Sequence, residues 1–146
     1  PGIWAELIAD LVHVHPGAIK VLLRSVGLER TVLITDAVQA TGLPDGEYML
    51  GDQKIFVQEG AARLAEGNLA GSTLTMLRAV KNMIDTVGVS IPDAFRMASL
   101  NPAQSIGLQD MGWIQEGNRA DFVLLTPDFQ VQKTIISGHI AYSAES

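Results

Sequence analysis

Cysteine is absent from the 146 residues, which rules out disulfides and thiolate metal sites and is compatible with a cytoplasmic enzyme. Basic residues are scarce: ten lysines and arginines against sixteen acids give a net charge of −6. They form no cluster, which counts against nucleic acid as a partner. No apolar run approaches the length needed to cross a bilayer, which counts against a membrane partner too. Charged residues make up only 18% and hydrophobic ones 47%. That balance favours a well-buried α/β globule over disorder. The chain opens on Pro1 rather than methionine, so an upstream targeting segment is left open.

What the chain does have is an unbroken apolar run, Val32-Leu33-Ile34, that ends in Thr35-Asp36. Such a run fits a strand buried on both faces in a parallel sheet. It follows a βα unit from Leu7 to Gly27 with Pro16 near the helix start and Gly27 just past its end. Ile19, Leu22, Leu23 and Val26 form one apolar stripe at helical spacing. Strand, helix and strand make a βαβ crossover, and parallel strands end on the same side. His13 and Asp36 are therefore expected together at the C-terminal end of the sheet, where α/β folds build active sites.

Beyond Asp36, Gln39 to Gly46 reads as a loop. Tyr48-Met49-Leu50, Ile55-Phe56-Val57 and Ala62-Arg63-Leu64 read as a three-strand meander. Gly67 to Gly71 is expected to be a loop before a helix capped by Ser72 or Thr73, with Leu74, Leu77, Ile84 and Val87 buried and Gly88 at its end. Ser90 and Asp93 resemble a capping box for a further helix. Asn101-Pro102 interrupts it and starts another short turn. From Gly112 the texture turns to β, with Trp113-Ile114, Phe122 to Leu125 and Thr134 to Ile136 as short strands. Trp113, Phe122 and Tyr142 are expected to be core of that β region rather than a sugar-stacking platform.

Several of these segments also carry a family likeness. Asp10-Leu11-Val12-His13-Val14-His15-Pro16, Thr35-Asp36-Ala37, Pro44-Asp45-Gly46-Glu47-Tyr48 and Leu69-Ala70-Gly71-Ser72-Thr73-Leu74-Thr75-Met76 follow one another in order. With Met97-Ala98-Ser99-Leu100-Asn101-Pro102-Ala103, Gly117-Asn118-Arg119-Ala120-Asp121 and Thr134 to Gly138, the chain resembles the N-acetylglucosamine-6-phosphate deacetylases of the amidohydrolase superfamily. The last two motifs occur across many amidohydrolases. The Leu69-to-Met76 run and the Asp10-to-His13 segment are narrower and favour the amino-sugar branch.

The resemblance implies an α/β fold: the C-terminal part of a (β/α)₈ barrel, with strands of a small β-sandwich domain at the end. Residues 1–110 would belong to the barrel, with a β-hairpin insertion at about 47–65, and 111–146 to the small β domain. A complete barrel takes roughly 250 residues, so the chain is expected to be a fragment of a longer enzyme, inactive alone. Its exposed sheet edges would favour self-association or a homo-oligomer.

On the same resemblance the substrate is an amino-sugar phosphate, and Asp36 is the proton-transfer carboxylate on a metal-bound water. Asp10, His13, Leu69, Ala70 and Gly71 would contact the sugar. A divalent metal, zinc or iron, would be held by residues upstream of Pro1, since a catalytic zinc-type site generally needs three protein ligands. Only His13, His15 and His139 offer imidazoles here. Read without the resemblance, Asp36 is equally an ordinary turn or capping aspartate, and His13 a hydrogen-bonded histidine at a strand end. His15 and Asn101 read as structural. One departure stands out: the family has glycine after the aspartate where this chain has Leu11, which adds bulk beside the ligand. Alternatives are an amidohydrolase for another acetamido sugar or a cyclic amide, or a non-catalytic assembly or binding domain.

Overall fold

The structure is a computed structural model that describes residues 2–145. Strands β1 (Ala5–Ile8) and β2 (Thr31–Ile34) pair in parallel, Ala5 opposite Thr31 through Ile8 opposite Ile34. Helix α1 (Pro16–Val26) crosses between them, with Pro16 in its first turn and Gly27, at φ 89°, ending it. Glycine suits that stop because a side chain disfavours positive φ. Ile19 is fully buried in the main core, and Leu22 and Leu23 pack against it. The βαβ crossover read from the sequence is present.

Next comes an antiparallel sheet of four strands in sequential order: β3 (Gly46–Leu50), β4 (Gln53–Gln58), β5 (Ala61–Leu64) and β6 (Leu69–Ser72). It extends beyond the predicted hairpin and corrects the reading of Leu69-Ala70-Gly71 as a loop. These three residues are strand β6, beside β5 on one side. On the other side Ser72 bridges to the chain leaving β2: its N–H donates to the Asp36 carbonyl and its own carbonyl accepts from Val38, both at 2.8 Å. Val38, Ala40, Ile55, Val57, Ala62 and Ala70 make a small second core there.

Helix α2 (Met76–Asn82) starts later than predicted, capped by the Thr75 hydroxyl, which accepts from the Arg78 N–H. Ser72 and Thr73 do not serve, because the chain is still leaving β6 there: the Ser72 hydroxyl donates to the Thr35 carbonyl and accepts from the Leu74 N–H, and the Thr73 hydroxyl donates to the Gly60 carbonyl. A π turn (Met83–Val87) prolongs the helix to Gly88. Leu74 and Val87 are buried as expected, but Ala79, Val80 and Met83 fill the core between them and Leu77 is only half-buried. Helix α3 (Ile91–Ala98) opens on the expected Ser90–Asp93 capping pair. Helix α4 (Leu100–Ser105) follows at once. Fully buried Asn101 donates to the carbonyls of Leu28 and Thr31, each at 2.7 Å, and pins the helix junction to the start of β2.

The last strands, β7 (Phe122–Leu125), β8 (Val131–Ile136) and β9 (His139–Ser143), form a three-stranded antiparallel sheet. Asp121 accepts from the Ser137 N–H, and the Ala120 carbonyl from Gly138, so the Gly117-to-Asp121 motif secures the β8–β9 turn. Arg119 pairs with Asp121, and with the Ser137 bond this holds that carboxyl below its ordinary range. Trp113-Ile114 is not a strand: nothing among the described residues pairs with it, and Trp113 is 51% exposed. Tyr142 is 52% exposed and Phe122 only half-buried, so the expected aromatic core is not assembled by this sheet. Contact with the helices comes instead from Phe129, between β7 and β8, stacked on Phe95 of α3 with centroids 6.1 Å apart.

Candidate active site

Parallel pairing puts the exits of β1 and β2 on one side of the sheet. Asp36 follows β2 by two residues, is exposed, and has φ 50°. That left-handed backbone is uncommon outside glycine and is held here by Ser72, which donates to the Thr35 and Asp36 carbonyls on either side of the Asp36 α-carbon. Gly71 lies directly beneath. A Cβ added there would meet the Val38 side chain at 2.7 Å, the Asp36 carbonyl oxygen at 3.0 Å and Asp36 Oδ2 at 3.7 Å. Of the predicted sugar contacts on β6, Gly71 thus reaches Asp36. Ala70 is buried in the second core and Leu69 is half-buried.

Asp10 lies beyond the end of β1, in the turn that carries His13. Its Oδ1 accepts from the backbone N–H groups of Val12 (3.0 Å) and His13 (2.9 Å), and its Oδ2 lies 2.6 Å from His13 Nδ1. The Asp10 side chain is only 6% exposed and that of His13 18%. Burial alone would raise the Asp10 pKa, but the bonds from the His13 ring and from both backbone N–H groups outweigh it and leave the carboxyl below its ordinary range. Between them Leu11 takes φ 68°, the conformation for which glycine is the usual residue. His15 is structural, its Nδ1 accepting from the Gly17 N–H at the start of α1.

His13 and Asp36 share the same end of the sheet, with no hydrogen bond between them among the described residues. Beside Asp10 opens a cleft of about 410 Å³ that no motif announced, lined by Val12, Glu59, Thr73, Arg78 and Asn82 among others. The Asn82 amide donates to the Ala9 carbonyl at 2.8 Å, fixing the start of the Asp10 turn. Arg78 and Asn82 were legible only as i, i+4 neighbours on a helix face. A second cleft, between α1 and the start of α3, contains none of the predicted site residues.

Metal chemistry needs converging ligands, and among the described residues no three His, Asp or Glu side chains converge on one point. His13 and His15 already spend Nδ1 on Asp10 and Gly17, and His139 lies in the β8–β9 hairpin. The described residues do not by themselves fit a catalytic metal. No helix among the described residues is long and apolar enough to cross a membrane.

The sequence model of the amidohydrolase family matches residues 1–141. The chain belongs to the amidohydrolase family. Over 145 residues it is 44% identical to N-acetylglucosamine-6-phosphate deacetylase of Vibrio furnissii, a match that takes in 99% of this chain and 36% of that protein. A putative N-acetylgalactosamine-6-phosphate deacetylase of Escherichia coli K12 is 45% identical over 139 residues, 94% of this chain and 83% of that one. This amidohydrolase chain also superposes on the crystal structure of the Thermotoga maritima N-acetylglucosamine-6-phosphate deacetylase with a TM-score of 0.91 at 40% identity. That overlay covers 97% of this chain and 39% of the other. The fold is accordingly mixed α/β, part of the (β/α)₈ barrel of the amidohydrolases.

Proposed function

We propose that this amidohydrolase chain supplies the proton-transfer and sugar-binding part of an enzyme that hydrolyses N-acetylglucosamine 6-phosphate to glucosamine 6-phosphate and acetate. The observation that carries the reading is Asp36, exposed at the sheet's C-terminal end and held against Gly71 by the Ser72 bonds. Water adds to the acetamide carbonyl carbon as Asp36 takes its proton. The C–N bond then breaks as Asp36 returns that proton to the departing nitrogen, because an amine leaves readily only when protonated. His13 orients the sugar, and the backbone around Gly71 lies against it. The divalent ion that amidohydrolases generally use would activate the water and be held by residues outside this chain.

A second reading, N-acetylgalactosamine 6-phosphate, is favoured by the 45% identity to the Escherichia coli relative. The two sugars differ only in configuration at C4. We assign residues 1–110 to the barrel and 111–146 to the β domain, since among the described residues β7–β9 pair only with one another. The chain alone is inactive and self-associates through its open sheet edges.

Acetate release by the complete protein from each of the two sugar phosphates decides between the readings. Release from neither refutes both. His13→Ala should weaken binding or turnover while bound metal stays constant, and a stoichiometric loss of metal would contradict a substrate-orienting role.

A further inference from the structure

Asp10 matches the family motif as a sugar contact, but its surroundings describe a different task. Among the described residues its hydrogen bonds are all directed inward: one oxygen closes a turn on the Val12 and His13 N–H groups, and the other meets the His13 ring at 2.6 Å. At 6% exposure little of the carboxylate is left for a ligand. We propose that Asp10 is a positioning residue that holds His13 as the Nδ1–H tautomer and turns Nε2 toward the substrate. This rests on the reading of His13 as a substrate contact.

The chemistry follows from the atoms. A carboxylate offers only acceptors, so the imidazole nitrogen facing it must carry the proton. In the neutral ring the other nitrogen is then a bare acceptor, suited to a sugar hydroxyl. An imidazole without that partner is free to rotate and to exchange tautomers, and would present a donor and an acceptor in turn.

The turn is built to keep this pair in place. Asn82 ties down the Ala9 carbonyl at its start, and His15 enters the α1 cap at its end. Leu11, between them, takes the left-handed conformation at φ 68°. A leucine tolerates that conformation only when its surroundings enforce it, and Leu11 packs against the main core. A glycine would take the same backbone without strain, so Leu11 keeps the turn rather than creating it.

Imidazole ¹⁵N spectra of the complete protein near pH 8 test the assignment, with the His13 signals identified by their loss in a His13→Gln variant. The expected wild-type pattern is a protonated Nδ1 and an unprotonated Nε2. Asp10→Asn keeps an oxygen for the turn but presents an NH₂ group to the ring, so His13 should switch to the Nε2–H tautomer. Affinity for N-acetylglucosamine 6-phosphate should fall about tenfold with the switch, the scale of one hydrogen bond. A wild-type Nε2–H tautomer would overturn the proposal even if the variant failed to fold. So would an Asp10→Asn variant that loses affinity with its tautomer unchanged, since Asp10 would then touch the ligand itself. The tautomer is read without turnover, so a protein inactive on both sugar phosphates would refute the proposed function and leave this result standing.

Discussion

Gly71 and Asp36 are in such close contact that a single methyl group on Gly71 would lie 3.0 Å from the Asp36 carbonyl oxygen. The same methyl would stand 2.7 Å from the Val38 side chain, on a backbone at φ 76°. Gly71→Ala should therefore cost about 1–3 kcal/mol in stability through overpacking and strain. It should also lower turnover in the complete protein by displacing Asp36. Denaturant unfolding together with an acetate-release assay checks both, and an alanine variant with unchanged stability would show the contact to be loose.

Leu11 allows a sharper comparison. Leu11→Ala loses packing and keeps the strain, whereas Leu11→Gly loses the same packing and sheds the strain. A left-handed residue with a side chain costs roughly 1–2 kcal/mol, more than the added flexibility of glycine in the unfolded chain, about 0.4–1 kcal/mol. The glycine variant should be the more stable of the two by up to about 1 kcal/mol. Equal unfolding midpoints, or alanine ahead, would mean that Leu11 is not strained.

Acid should act on the Asp10–His13 turn in one direction. The Asp10 carboxyl is held below its ordinary range in the fold. Its stabilising contribution is therefore complete above the unfolded-state value of about 3.9 and is lost as pH falls through the lower folded value. Between pH 5 and 2 the wild type should lose more stability than Asp10→Asn, which has no such charge to protonate. Parallel acid profiles for the two proteins would contradict the assignment.

How far the sequence could be read depended on whether the deciding contact was local. Pro16 with Gly27 and Ser90 with Asp93 act within one helix turn, and each marked its helix correctly. The β6 strand was missed because its second neighbour is the Asp36-to-Val38 segment, more than thirty residues away, and its small side chains resemble a loop. The α2 cap was misplaced for the same reason, since only the fold shows Ser72 in β6 and Thr73 tied to the Gly60 carbonyl, with the helix opening on Thr75. Trp113-Ile114 looked like a strand by hydrophobicity but pairs with nothing among the described residues. At the site, the motif picked out Asp10, His13, Asp36 and Gly71. The inward bonds of Asp10 go to Val12 and His13 across a left-handed Leu11, a backbone that a leucine does not announce.

The sheet of β7–β9 leaves Val123, Ile136, Ile140 and Tyr142 more than half exposed, with Trp113 and Ile114 nearby in sequence. Contiguous apolar surface and unpaired strand edges drive association. The isolated 146 residues should sediment as dimers or larger species at micromolar concentration. A sharp monomer boundary would remove the case for open edges.

Turnover of N-acetylglucosamine 6-phosphate by the complete protein, wild type against Asp36→Asn, tests the central claim most directly. Asparagine keeps the shape of the side chain and removes its basicity. The variant should lose about 10²–10⁴-fold in kcat with its fold and bound metal unchanged. Near-normal turnover in a folded, metal-loaded Asp36→Asn protein would contradict the proton-transfer role.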